Sequence, residues 1–307
     1  MLAASGPATE EAARHLAQQG YVFDMKWDGV RAIAVVEAGN VQLLNRKGED
    51  FAFRYPEVCD GLTDLSLKVG GDFVLDGEIV IFDPTTGRPQ FGLTGQRAFG
   101  PGRARDIQAA AARMPGTFVA FDVLSVDGDE MRHFTQEARF ATLDVLVPDT
   151  GDRVVRSIRG TDGVLMLKVV QEQRLEGIIA KRLNAQYKHG RRSDWIKMKP
   201  VRTCTALVTG YEPGEGKRAD TFGALLLSVL SDAGDIVSIG KVGSGFSDVE
   251  LATMDPFVKA GQEFMVEVEY LDRQPKTGVL RFPVFKGVRW DLSRTDCTEA
   301  QLPHVPA

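Results

Sequence analysis

Short runs of alternating or β-branched apolar residues recur along the first two thirds of the chain and predict strands. Residues 31–48 predict a hairpin that turns near Gly39 and Asn40. Further strands are predicted at 72–83, 117–128, 176–182 and 194–200, and helical spacing occurs at about 9–18, 104–113, 135–147 and 162–175. Strands that outnumber helices and are linked as hairpins predict an α+β domain with antiparallel sheets.

The pattern changes after Pro200. Strand runs at 205–216, 222–246 and 263–272 are separated by glycine turns, and one helix is expected after Ser247–Glu250, which has the form of a capping box. Several strands with one helix predict a small Greek-key barrel, with an OB-fold as the leading candidate. We therefore expect two domains, 1–201 and 202–307.

Composition adds mainly exclusions. The 307 residues are 43% hydrophobic and 26% charged, as in ordinary globular proteins. No apolar run approaches the roughly 20 residues that cross a bilayer, and the N-terminus lacks the pattern of a signal peptide. Cys59, Cys204 and Cys297 form no CxxC pair, which argues against a zinc module or a disulfide scaffold. These features predict a cytoplasmic protein without a membrane partner.

The charge is unevenly distributed. The net charge is −5, yet the segment 181–202 contains eight basic residues and the single acid Asp194. A solvated surface is one explanation, and a phosphate-rich partner is the other. The basic residues are Lys181, Arg182, Lys188, Arg191, Arg192, Lys197, Lys199 and Arg202.

The stretch FDMKWDGVRA, residues 23–32, places Lys26, Asp28 and Gly29 as K-x-D-G within a strand-like run. This pattern alone is weak, and its value comes from the motifs that follow it in order. They are RKG at 46–48, LDGEIVIFD at 75–83, AFDVL at 120–124, EGIIAKR at 176–182, WIKMKP at 195–200 and FPVFKGVRWD at 282–291.

This ordered series resembles the ATP-dependent DNA ligases, within the wider superfamily of covalent nucleotidyltransferases. It is most similar to the bacterial repair and end-joining type, meaning the ligase module of the multifunctional end-joining ligase and its small stand-alone relatives. The resemblance extends from Tyr21 to Asp291. It implies a nucleotidyltransferase domain of the ATP-grasp-like ligase type, followed by an OB-fold domain.

The resemblance implies that Lys26 attacks ATP and becomes adenylylated, with Asp28 beside the ribose and the nick. Such an amine must be unprotonated, which partial desolvation and neighbouring cations favour. Asp24 corresponds to the acid that accepts from the adenine amino group. Phe121 corresponds to the aromatic residue that stacks on the purine, although a strand phenylalanine is often plain core. Gly29 is expected to let the backbone approach the nucleotide closely.

Glu78 and Glu176 are carboxylates in apolar strands, and the resemblance assigns them to the ribose and to Mg²⁺ or Mn²⁺, with salt bridging as the alternative. The remaining implied residues contact phosphates or DNA. Arg31 and Arg46 are expected near phosphates, Lys197 and Lys199 at the α-phosphate, and Lys181 either there or on the DNA surface. Arg182, Lys188, Arg191 and Arg192 are expected, with Arg46, to contact DNA.

The family's last motif, R-x-D-K, is matched by Arg289 and Asp291, but Leu292 replaces its lysine. This departure concerns the β- and γ-phosphates of ATP, where Lys286 or Arg294 could compensate. A catalytically impaired nucleic-acid-binding relative is one alternative that Leu292 favours. An RNA ligase or capping enzyme is another, because it shares the K-x-D-G chemistry.

The expected reaction is the sealing of 5′-phosphate/3′-hydroxyl nicks by way of lysyl-AMP and DNA-adenylate. The expected partners are nicked or broken duplex DNA, with end-joining or repair proteins as candidates, and the expected state is a monomer associated with the bacterial nucleoid. An NAD-dependent ligase is disfavoured, since no cysteine zinc finger is present. The repair pathway, the choice between Mg²⁺ and Mn²⁺ and the preference for ribo- or deoxy-terminated ends are not determined by these residues.

Overall fold

The computed structural model describes residues 1–84, 87–89, 91–99, 104–173, 175–274 and 277–302. The chain forms two compact units, Met1–Pro200 and Val201–Ala307. Within the described ranges no helix is long and apolar enough to span a membrane.

The first unit combines strands and helices. Its strands are β1 Leu2–Gly6, β2 Tyr21–Lys26, β3 Val30–Glu37, β4 Asn40–Leu44, β5 Phe73–Ile81, β6 Gly116–Val126, β7 Asp129–Glu130, β8 Val154–Arg156, β9 Arg159–Gly160, β10 Gly177–Arg182 and β11 Arg191–Met198. Its helices are α1 Glu10–Gln18, α2 Pro56–Val69, α3 Phe91–Phe99, α4 Ala104–Arg113, α5 Gln136–Leu146 and α6 Gly163–Glu172, with a 3₁₀ turn at Ala52–Arg54. The four predicted helices are confirmed as α1, α4, α5 and α6.

Two sheets make up this unit. One has the strand order β1-β11-β10-β2-β9, and the other has the order β4-β3-β5-β6-β7, with β8 paired to β6. Most neighbours are antiparallel, and β1 with β11 and β6 with β8 are the parallel pairs among the described strands. The predicted hairpin is confirmed as β3–β4. Its loop is Ala38-Gly39, both with positive φ, as a type I′ turn requires.

Each sheet has its own hydrophobic core. Leu43, Leu62, Leu75 and Phe118 belong to the cluster between the β3–β6 sheet and α2 and α5. Phe23, Met166, Ile178 and Met198 belong to the cluster that joins the β2–β10 sheet to α1 and α6. Burial of such side chains contributes roughly 1.5–3 kcal/mol each. The two packed layers hold β2, β10 and β5, which carry the predicted site.

Helix ends follow local sequence. Thr9 caps α1 by accepting from the Ala12 amide, and Asp162 caps α6 by accepting from Val164 and Leu165. Helix α2, which the periodicity did not predict, begins at Pro56 and ends at Val69, and it is followed by Gly70, whose φ is 72°. Proline at the first helical position and glycine just after the last are the usual asymmetry of helix ends.

The second unit is a β-barrel domain with one α-helix in its described part. Its strands are β12 Arg202–Pro213, β13 Phe222–Leu230, β14 Ile236–Val242, β15 Met265–Tyr270, β16 Asp272–Arg273, β17 Leu280–Arg281 and β18 Val284–Val288, with α7 at Asp248–Lys259 and 3₁₀ turns at Gly216–Arg218, Arg294–Asp296 and Glu299–Gln301. Its main sheet, β14-β13-β12-β15-β18, is antiparallel. The capping box at Ser247 and Glu250 is present. The predicted α+β class with a small OB-fold is confirmed.

Candidate active site

Lys26 is the last residue of β2 and lies opposite Gly177 in the antiparallel pairing with β10. This register brings Glu176, which directly precedes β10, to Lys26, and the Lys26 Nζ is 2.5 Å from Glu176 Oε2. The Lys26 side chain is 23% exposed, so its amine is reachable from solvent. A solvent-accessible amine therefore lies at the end of β2 beside a carboxylate.

The same carboxylate binds a second cation. Lys199 directly follows β11, and its Nζ is 2.5 Å from Glu176 Oε1. The side chain of Lys197 forms no hydrogen bond or ion pair with another described residue. Partial burial lowers the pKa of Lys197, and the positive charges of Lys199, Arg191 and Lys26 lower it further. Three cations thus surround Glu176, which predicts an attraction for an anion such as a phosphate.

Glu78 lies in β5, in the other sheet, and faces the same cluster. Burial raises the pKa of Glu78 to about 7, the charge of Lys26 opposes this rise, and the charge of Glu176 adds to it. Among the described residues, no side chain forms an ion pair with Glu78. A carboxylate in this state gains from a bound cation, since a cation offsets both its burial and its repulsion from Glu176.

Gly29 allows the K-x-D-G turn to pack against β5. A Cβ at this position would lie 2.2 Å from the backbone oxygen of Ile79 and 2.8 Å from Cγ of Glu78. Any side chain would therefore push the turn away from the strand that carries Glu78. The sequence predicted close approach to a nucleotide, and the structure shows close approach to this strand. Asp28, between Trp27 and Gly29, is partly exposed at the same turn.

Asp24 and Lys181 lie behind this cluster and are buried. Lys181 Nζ donates to Asp24 Oδ2 at 2.6 Å and to the Phe121 carbonyl oxygen at 2.7 Å. The Ser157 hydroxyl donates to Asp24 Oδ1. The Lys181 side chain is 2% exposed, so the structure contradicts the expected contact of Lys181 with DNA.

Phe121 is partly buried and lies among aromatic and cationic groups. Its ring is 6.0 Å from that of Trp195 in an edge-to-face arrangement, and Lys181 Nζ is 4.8 Å from the ring centre. The guanidinium of Arg31 is 5.8 Å from the same ring. Phe121 is not fully buried, and its stacking on a purine stays a prediction.

Arg31 is held by a carboxylate. It donates to Asp76 through two nitrogens, at 2.9 and 2.6 Å, and also donates to the Met1 carbonyl and to the Tyr187 hydroxyl. Tyr187 in turn donates to Asp76 at 2.7 Å. Asp76 and the hydrogen bond to it hold the pKa of Arg31 above its usual range, although burial opposes this. A direct phosphate contact by Arg31 would have to compete with these bonds.

The predicted DNA-contacting residues other than Lys181 lie at or near the surface. Arg46 is exposed in a turn after β4 that Asn45 stabilises by accepting from the amides of Lys47 and Glu49. Lys188, Arg191 and Arg192 are exposed, and within the described ranges they form no ion pair. Arg182 is partly exposed and donates to the Tyr21 hydroxyl at 2.8 Å.

Arg289 and Asp291 belong to the second unit and bind one another. Arg289 donates to both carboxylate oxygens of Asp291, at 2.9 and 2.7 Å, and to Glu267 at 3.0 Å. The hydrogen bonds from Arg289 lower the pKa of Asp291 to about 2. Of the two candidates to replace a lysine at Leu292, Lys286 pairs with Glu269 and Arg294 with Glu263.

Several residues of the site were not predicted. Ser157, Tyr187 and Trp195 contact predicted site residues, and Trp27 donates to Ser157. Asp76 could have been predicted from the sequence, because it lies two residues before Glu78 on β5 and therefore points to the same face of the strand. Ser157 carries no such local signal, since it comes from the short segment between β8 and β9.

Comparison with known proteins gives consistent matches. Residues 1–199 match the family described as ATP dependent DNA ligase domain. The multifunctional non-homologous end joining protein LigD of Mycolicibacterium smegmatis is 31% identical over 92% of this chain and 38% of its own length. A probable DNA ligase of Streptomyces avermitilis is 32% identical over 99% of this chain and 61% of its own length. The chain therefore spans less than two thirds of these relatives.

A solved structure extends the comparison from the sequence to the fold. The ligase domain of LigD from M. tuberculosis is 27% identical, with a TM-score of 0.55, over 97% of both chains.

Proposed function

The chain belongs to the ATP-dependent DNA ligase family, and from this premise we propose that it seals nicks in duplex DNA through an AMP intermediate on Lys26. The observation that carries the proposal is the arrangement around Glu176. This carboxylate lies 2.5 Å from the amine of Lys26 and 2.5 Å from that of Lys199, and Glu78 faces them from the other sheet.

In the first step the Lys26 nitrogen attacks the α-phosphorus of ATP. A nitrogen–phosphorus bond forms, the bond from the α-phosphorus to the bridging oxygen breaks, and pyrophosphate leaves. The amine must lose its proton to attack, and Glu176 Oε2 is the acceptor within hydrogen-bond distance. Lys197 and Lys199 supply positive charge for the phosphate oxygens as charge builds there.

In the later steps AMP passes from Lys26 to the 5′-phosphate of a nick, and the 3′-hydroxyl then displaces AMP to close the strand. Arg46, Lys188, Arg191 and Arg192 are exposed cations that suit contacts to the DNA backbone. We assign the nucleotidyltransferase role to 1–201 and the OB-fold role to 202–307, in a monomeric cytoplasmic enzyme of DNA repair or end joining.

The carboxylates fit a divalent cation. Glu78 has a raised pKa and no ion-pair partner in the described part of the chain, and Glu176 is close enough for their charges to interact. Two carboxylates suffice for such a site, because Mg²⁺ commonly takes one or two carboxylates together with water and phosphate oxygens. Glu78 and Glu176 would hold Mg²⁺ or Mn²⁺, which would neutralise charge on the phosphate oxygens.

Covalent labelling with α-labelled ATP tests the first step. We expect the wild type to acquire the label, and Lys26→Arg to acquire none, because arginine keeps the positive charge next to Glu176 but remains protonated. Lys168→Arg is the matched control, since Lys168 is an exposed lysine on α6 whose ion pair among the described residues is with Glu10. Labelling of Lys26→Arg at the wild-type rate would remove Lys26 from its role.

Separate assays with different nucleic acids and nucleotides test the choice of substrate. We expect sealing of nicked DNA in preference to nicked RNA, and labelling by ATP in preference to GTP. Preferred sealing of RNA would identify an RNA ligase, and preferred labelling by GTP would identify a capping-type enzyme. DNA binding without any labelling would identify the impaired relative that Leu292 favours.

A further inference from the structure

Both carboxylate oxygens of Asp24 accept hydrogen bonds from neighbouring side chains. Its Oδ2 accepts from Lys181 at 2.6 Å and its Oδ1 accepts from Ser157, while the residue as a whole is 1% exposed. An adenine amino group would have to reach a carboxylate that is buried and already accepts two hydrogen bonds. The geometry therefore disfavours direct contact between Asp24 and a nucleotide.

The contacts of Asp24 extend to both sides of the site. On one side, Ser157 accepts a hydrogen bond from the Trp27 indole at 2.8 Å, and Trp27 directly follows Lys26. On the other side, Lys181 donates to the Phe121 carbonyl at 2.7 Å. Asp24 thus connects the backbone next to the nucleophile with the strand that carries the aromatic ring.

Lys181 depends on Asp24 for its charge compensation. Its ammonium lies 4.4 Å from the ring centre of Trp195, 4.8 Å from that of Phe121 and 5.3 Å from that of Phe140. Aromatic faces attract a cation, but Asp24 is the carboxylate with which Lys181 forms an ion pair. Removing one member of such a pair leaves an uncompensated buried charge, whereas removing both does not.

We propose that Asp24 is a positioning residue, which acts through Lys181 and Ser157 to hold Lys26 and Phe121 in register, and that its carboxylate does not read the adenine amino group. The proposal rests on the proposed function, because it concerns the nucleotide that charges Lys26. It replaces the adenine contact that the resemblance implies for Asp24 with a positioning role.

A double-mutant cycle tests the coupling. Asp24→Asn and Lys181→Met are each expected to reduce kcat for covalent labelling at least tenfold, with KM for ATP nearly unchanged, when measured well below the unfolding temperature. The double variant should be about tenfold faster than either single variant, because it contains no unpaired buried charge. Loss of stability alone would leave kcat of the folded molecules unchanged. A double variant no faster than the slower single variant would overturn the proposal.

A nucleotide without the 6-amino group tests the contact. The ratio of kcat/KM for ATP to that for purine riboside triphosphate should be the same in the wild type and in Asp24→Asn. If Asp24 accepts from the amino group, this ratio should fall toward one in Asp24→Asn, and the proposal would be wrong.

The proposed function can fail independently. An unlabelled wild type would contradict nucleotidyl transfer to Lys26, and the same four proteins would still report on the pair through their denaturation midpoints. Additive midpoints would then show that Asp24 and Lys181 are not coupled and would overturn the positioning role as well.

Discussion

Lys26 and Lys181 lie on paired strands of one sheet, and their surroundings are opposite. The Lys26 side chain is 23% exposed and shares Glu176 with Lys199. The Lys181 side chain is 2% exposed and has Asp24, a carbonyl oxygen and three aromatic rings as neighbours. Lys26 shares its carboxylate with a second lysine, in a region of excess positive charge. The charge of Lys181 is balanced by a carboxylate of its own within the protein.

The acids on β5 repeat this contrast. Asp76 is fully buried and accepts hydrogen bonds from Arg31 and Tyr187. Glu78, two residues further along the same face, has a raised pKa and no ion-pair partner in the described ranges. In each pair the residue nearer the proposed ATP position is the less compensated one. A bound ligand can therefore provide the opposite charge that the protein does not provide beside Lys26 and Glu78.

The residues that stabilise the fold are therefore distinct from those that we propose to react. Asp122 and Arg139 extend the compensated region, because both side chains are fully buried and Arg139 donates to Asp122 at 2.7 and 3.0 Å. Arg139 also donates to the Phe134 carbonyl and to Gln136, which accepts from Trp195. This network supports the aromatic residues near Phe121.

The largest expected effect is on this network. Arg139→Met should lower the free energy of unfolding by about 3–5 kcal/mol, because it leaves the Asp122 carboxylate buried without its cation. Chemical denaturation measures the change. Arg132→Met is the control, since Arg132 pairs with Glu130 at the surface and its loss should cost less than about 1 kcal/mol. Equal losses in the two variants would contradict the division between the regions.

A smaller effect is expected from Glu78. Its folded-state pKa of about 7 exceeds the ordinary value of 4.5, so the folded protein binds the proton more tightly than the unfolded chain does. Its contribution to stability is therefore fully present below pH 4.5 and is lost as the pH rises through 7, by roughly 3 kcal/mol at most. Glu78→Gln should remove this dependence and be more stable than the wild type at pH 8.

Denaturation midpoints of the wild type and Glu78→Gln between pH 4 and pH 8 measure the difference. Glu57→Gln is a suitable comparison, because Glu57 pairs with Arg97 and lies outside the site. A wild-type curve that runs parallel to that of Glu78→Gln across this range would show that Glu78 is not the group responsible.

The sequence was sufficient for much of the fold, since strand alternation and helical spacing reflect burial directly. It was insufficient where tertiary pairing decides. Strand β1, with the sequence LAASG, has little strand propensity and is extended because it pairs in parallel with β11. Helix α2 contains an interior glycine, Gly61, which weakens its helical signal.

The site divides in the same way. Lys26, Glu78 and Glu176 could be selected because motifs and mid-strand charges are visible along the chain. The bonding state of Asp24 could not, because it depends on Lys181 and Ser157, which are 157 and 133 residues away. Resemblance suggests what a residue contacts in relatives, whereas long-range contacts determine whether it is available here.

The smallest expected effect on stability is at the exposed basic surface. Arg191→Gln combined with Arg192→Gln should change the free energy of unfolding by less than about 0.5 kcal/mol, since both side chains are exposed and form no ion pair in the described part of the chain. If each contacts a DNA phosphate, the slope of log affinity against log salt concentration should fall by about 2, or about 1 for each contact. Binding of a nicked duplex at several salt concentrations measures this slope.

Arg14→Gln, at an exposed arginine that pairs with Glu10 on α1, should leave the slope unchanged. An equal fall of the slope in Arg14→Gln and in the double variant would mean that DNA binding depends on net charge alone. An unchanged slope in the double variant would remove this surface from the DNA interface.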